Sequence, residues 1–160
     1  MRSSRASLRA CTWMLGLLLL GQAGCGDGST GTSDPESETV SGVDADANGV
    51  RDDVERYIDL TYPDAPTRNA LRQYGKAAQS TIIHAGDPTL SITYAAERFR
   101  AIECLMARRP NDFPTVFSDV RSRILNTTAR TQAYLQADGQ VAAATPSLLP
   151  ASQWWSACTS

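Results

Sequence analysis

Residues 87–110 read DPTLSITYAAERFRAIECLMARRP, and this stretch decides the fold. Asp87-Pro88 marks a helix start. The aspartate carboxylate can cap free N–H groups, and proline lacks the N–H that would go unpaired at the first helical position. Ile92, Ala95, Phe99, Ile102 and Met106 then recur at spacings of three and four, the period of one helix face. Arg108-Arg109-Pro110 ends the run: cations suit the negative end of a helix, and proline stops propagation. Upstream, Asp64 and Pro66 open a segment in which Leu71, Tyr74, Ala78 and Ile82 share a face, ending near Gly86. Downstream, Asp112 starts a third helix with Val116, Val120 and Ile124 inward. Asn126-Thr127-Thr128 then breaks the pattern and caps a short further helix through Leu135. No stretch alternates like a strand, and there is no internal repeat. The pattern predicts an all-α fold, a small bundle of three to five helices over residues 51–160.

The N-terminal residues 1–24 have a different character. They carry Arg2, Arg5 and Arg9 and no acid, then an apolar run from Cys11 to Leu20, then the small residues Gly21, Ala23 and Gly24. This is the form of a signal peptide, and the apolar run is shorter than the roughly 20 residues that cross a bilayer. Ala23-Gly24-Cys25 resembles the end of the bacterial lipobox, with Gln22 standing where that family usually has a leucine-like residue. The resemblance implies cleavage before Cys25, a diacylglycerol on its thiol, and attachment to a membrane through lipid. Ordinary cleavage after Ala23 is the alternative. Gly26, directly after the lipid cysteine, resembles the sorting pattern that favours an outer membrane, so the chain would face periplasm or cell surface.

The cysteines agree with this reading. Of Cys11, Cys25, Cys104 and Cys158, the first leaves with the signal peptide and the second would carry lipid. Two remain, and an exported chain sits in an oxidising compartment, so Cys104–Cys158 is expected as a disulfide. Charge divides the chain as well. Residues 26–55 hold nine acids and one base, whereas residues 56–160 hold 11 bases and eight acids. Segment 25–43 is rich in Gly, Ser, Thr and acid and reads as a flexible tether. A body at +3 without clustered lysines gives little electrostatic basis for nucleic-acid binding.

The chemistry lies in residues 44–55, D-A-D-A-N-G-V-R-D-D-V-E, which match D-x-[DN]-x-[DN]-G-x5-E at every specified position. Calcium is a hard cation that takes six to eight oxygens. Asp44, Asp46 and Asn48 would supply side-chain oxygens at alternate positions. The Val50 carbonyl would add another, Asp52 would bind directly or through water, and Glu55 would close the site with both oxygens. Gly49 permits the turn. The pattern resembles the loops of EF-hands and of bacterial thrombospondin type 3-like repeats, which implies Ca2+ as the ligand. Arg51 departs from it, since an EF-hand has an apolar residue there, and the tether replaces the helix that would precede the loop. The affinity implied is that of extracellular modules, roughly 10⁻⁴ to 10⁻³ M. More widely, residues 48–55 with Asn126-Thr127 and Ala133-Tyr134-Leu135 resemble a group of bacterial exported proteins, which implies no activity.

No catalytic constellation accompanies the loop. G-x-S-x-G, H-E-x-x-H, Walker and dinucleotide motifs are absent from the sequence. His84 falls in the last turn of its helix, a place for a cap. Glu97, Arg100 and Glu103 are three apart and read as surface ion pairs. Trp154-Trp155, near Cys158, reads as packing against the helices, with a stacking platform for cell-wall sugar as the alternative. The expectation is therefore a non-catalytic, calcium-binding envelope lipoprotein acting as a structural or interaction module. A glycan- or protein-binding protein using the helical body is the alternative, and an enzyme comes third.

Overall fold

The computed structural model describes residues 39–142 and 147–159. The expected signal peptide, Cys25 and the tether as far as residue 38 lie outside the described residues. Among the described residues five α-helices follow one another: α1 Asp52–Thr61, α2 Ala65–Ile83, α3 Pro88–Arg108, α4 Phe113–Ile124 and α5 Thr128–Val141. A 3-10 helix, η1 Ala151–Ala157, completes the set, and there is no strand among the described residues. The all-α expectation is met.

The helix starts follow local chemistry. Asp64 accepts from Thr67 N at 2.9 Å, and Asp87 accepts from Thr89 N and Leu90 N at 2.9 and 3.0 Å. Thr127 caps α5 through Arg130 N at 3.2 Å. Each bond satisfies an N–H that the helix itself leaves unpaired. The α5 helix runs to Val141, past the expected end at Leu135.

The largest interface is α2 against α3. Helix α5 lies on both, η1 on α3, and α1 and α4 on α2. Leu71, Tyr74, Ala78 and Ile82 of α2 and Val116, Val120 and Ile124 of α4 are all in the core, as their spacing predicts. Val54 and Ile58 carry α1 into the same core.

Helix α3 differs from its expected face. Its buried residues are Ser91, Ala95, Arg98, Ala101, Glu103, Cys104 and Leu105, whereas Ile92 is exposed and Phe99, Ile102 and Met106 are half-buried. The reason is that α2, α5 and η1 cover α3 from several sides. Small residues are needed where neighbours come close, so apolar spacing alone misplaces the inner arc.

Cys104 and Cys158 form a disulfide across a separation of 54 residues, which fixes η1 to α3. Glu103, next to it, is fully buried rather than a surface residue. Its carboxylate pairs with Arg100 at 2.6 Å and accepts from Leu149 N at 2.5 Å, so it also holds the approach to η1. The two tryptophans part company. Trp154 is half-buried and donates Nε1–H to the Leu149 carbonyl at 3.0 Å. Trp155 is 57 % exposed, with the Arg108 guanidinium 4.8 Å from its ring centre. Packing thus describes Trp154 only.

The composition of residues 25–43 predicts a flexible tether, but its last five residues are fixed to the body. Arg130 donates Nε–H and Nη2–H to the carbonyls of Val40 and Thr39 at 3.1 and 2.8 Å. Gln79 donates to the Ser41 carbonyl at 2.6 Å. These bonds use backbone oxygens, which composition does not register.

Candidate metal centre

Two backbone features shape the loop. Ala47 and Gly49 both adopt positive φ, at 56° and 91°, and turn the chain back on itself. A clasp closes it: Asp52 N donates to the Val43 carbonyl at 2.9 Å, and Ala45 N donates to Asp52 Oδ1 at 3.0 Å. Asp44 accepts from Asn48 N and Gly49 N at 3.1 and 2.8 Å, one bond on each oxygen. Asp46 accepts from Asn48 N at 3.2 Å and from the Asn48 side-chain amide at 2.9 Å. Asn48 in turn accepts from Val50 N through Oδ1 at 2.8 Å.

The result is an acidic cluster. One carboxylate oxygen each from Asp44, Asp46 and Asp52 lies within 4.8 Å of the other two, close enough to hold a metal ion together. An oxygen that accepts one N–H keeps a second lone pair for a cation, so these hydrogen bonds do not use up the donors. Three carboxylates are hard oxygen ligands, the type that Ca2+ and Mg2+ take and that soft metals do not. The donor set therefore fits a hard divalent cation.

Glu55 stands apart from that cluster. Its Oε1 accepts from Arg72 Nε of α2 at 2.9 Å. Val50 points its side chain into the core at 3 % exposure, which fixes the position of its backbone. Lys76 lays its aliphatic stem along Gly49, and a Cβ placed there would come within 3.0–3.3 Å of three Lys76 carbons. A cleft of about 270 Å³ runs beside the loop, lined by Asn48, Asn69, Arg72, Gln73, Lys76 and Thr159 among others.

Arg51 explains how the loop joins the body. It is buried at 1 % exposure and extends to the end of α4. Its Nη1 donates to the Ile124 carbonyl at 3.3 Å and its Nη2 to the Arg123 carbonyl at 2.9 Å. Those carbonyls lie in the last turn, where the helix dipole favours a cation. Asp53 neutralises the guanidinium from the other side at 2.5 Å. Arg130 is buried beside it, and the two arginines share Asn126 Oδ1. Burial and the charge of Arg51 lower the Arg130 pKa.

In the loop pattern Arg51 stands as a departure from the apolar residue of an EF-hand. The departure was itself the signal, because a charge at a loop's inward position needs a buried partner. Nothing in the sequence marks Arg130 as its companion. His84 caps α2 and stacks on Tyr94 with ring centres 5.4 Å apart. No family model, curated protein or solved structure matches the chain.

Proposed function

We propose that this chain is a calcium-binding lipoprotein of the bacterial envelope, in which the 44–55 loop binds Ca2+ to stiffen the joint between an anchored N-terminal segment and a helical body. The observation that carries the reading is the convergence of Asp44, Asp46 and Asp52 on a loop that Arg51 and Val50 fix to the core. Like charges this close repel, and a bound divalent cation turns that repulsion into attraction. Asp44, Asp46 and Asp52 would ligate through carboxylate oxygens, Asn48 and the Val50 carbonyl would complete the ring, and Glu55 would close it. The cation's contribution is structural: it draws positions 44 and 52, at opposite ends of the turn, onto one centre. The role proposed is that of a structural or interaction module.

The anchor follows from the N-terminal pattern of Arg2, Arg5 and Arg9, the apolar run and Ala23-Gly24-Cys25. Mass spectrometry of the chain purified from membranes tests it. Acyl mass on an N-terminal Cys25 is expected, and a free Cys25 thiol overturns the anchor.

Calorimetric titration with calcium chloride tests the loop. Saturable heat in the millimolar range is expected, with most of it lost in Asp44→Ala. Absence of heat at millimolar calcium, or unchanged heat in the variant, overturns the metal reading.

A further inference from the structure

We infer that Arg72 competes with a bound cation for Glu55 and so sets how tightly the loop holds it. The inference rests on the calcium reading above and deepens it. Three of the four carboxylates expected as ligands already converge, and the fourth, Glu55, is engaged elsewhere. Arg72 bridges two acids of α1: its Nε donates to Glu55 and its Nη2 to Asp59. Glu55 lies outside the group of three, so a carboxylate that swings in to give both oxygens to the cation draws Oε1 away from Arg72 Nε, which now holds it at 2.9 Å.

The exchange is feasible because it strands no charge. Arg72 keeps Asp59, which also lies 3.6 Å from Arg68, and the Arg72 side chain is 31 % exposed and can be hydrated. Glu55 is 20 % exposed, so it can turn without leaving the core open. A half-exposed pair of this kind is worth a factor of about two to five in an equilibrium. Arg72 thus acts through Glu55 as a positioning residue. It shifts the loop toward weak, high-concentration binding and leaves the three aspartates untouched.

The test follows the Gly49 amide by NMR during calcium titration of the full chain, since that N–H donates to Asp44 at 2.8 Å and reports on the loop. Arg72→Gln is expected to bind calcium about two- to five-fold more tightly. Glu55→Gln is expected to bind more weakly, and adding R72Q to it is expected to change nothing further. Arg72→Lys keeps the charge but loses the two-pronged contact. It should shift affinity in the same direction and serves if R72Q does not fold. Equal or weaker binding in both arginine variants overturns the inference while leaving the metal loop standing. A gain from R72Q that persists in the E55Q background also overturns it, because charge alone then accounts for the effect. Absence of calcium binding in every chain overturns both readings.

Discussion

Arg51 puts a guanidinium where an apolar side chain would be the ordinary solution, and the surroundings show why it is tolerated. Two carbonyls of α4, the Asn126 side chain and Asp53 all accept from it. A buried cation whose three nitrogens each reach an acceptor is far less costly than a bare one. Close approach is the other requirement. Gly42 lies against Arg51 with φ at 67°, and a Cβ there would come within 2.1 Å of Arg51 Cδ. Gly42→Ala is therefore expected to lose at least about 1–2 kcal/mol from the left-handed backbone alone. Displacement of Arg51 adds to that. Urea unfolding checks it, and a variant as stable as the parent would remove Arg51 from its place at the joint. Sequence made the loop's oxygens legible because calcium ligation follows residue type and spacing. It did not reveal the partner of Glu55, because Arg72 is 17 residues away on another helix.

Capping and faces govern the elements. Asp64 holds the first turn of α2 through Thr67, and hydrogen bonding from the Thr67 side chain first, then from its backbone N–H, draws the Asp64 carboxyl below the ordinary carboxylate pKa of 3.8. A depressed folded pKa means that the stabilisation is present above the unfolded pKa and is lost as pH falls through the folded one. Asp64→Ala is expected to cost about 1 kcal/mol at pH 7. Denaturant melts of the two chains should draw together below about pH 4. A gap that stays constant through the acid range would show that the carboxylate is not what caps the helix. The element starts were legible because Asp-Pro and Asp-x-Pro pairs act locally. So were the faces of α2 and α4, each of which has a solvent side. The face of α3 was not, since its buried residues include Ser91, Arg98 and Glu103, which an apolar stripe does not pick out. The length of α5 was hidden for a related reason. Its buried residues are Arg130, Tyr134, Ala137 and Val141, and the first of them is a charge.

At the scale of the molecule, one covalent link governs the C-terminal end. The Cys104–Cys158 bond holds η1 on α3, and Gln73 adds bonds to Ala157 and Thr159. Closing a loop of this length is worth roughly 4 kcal/mol in the chain-entropy model. The double variant Cys104→Ser/Cys158→Ser is expected to lose that order of stability in guanidinium unfolding and to be cut by protease after residue 147 more readily than the parent. Equal stability would mean that Glu103 and Gln73 suffice to hold the tail. The first described residues are fastened by hydrogen bonds instead, and that fastening has a mechanical consequence. Thr39 and Val40 hang on the Arg130 guanidinium, and Ser41 hangs on the Gln79 amide. Tension applied at residue 39 loads those bonds, and through them α5 and α2, before any of it reaches Asp44. The turn that gathers the three aspartates is strain-relieved, as a plug is when its cord is clipped to the casing behind it.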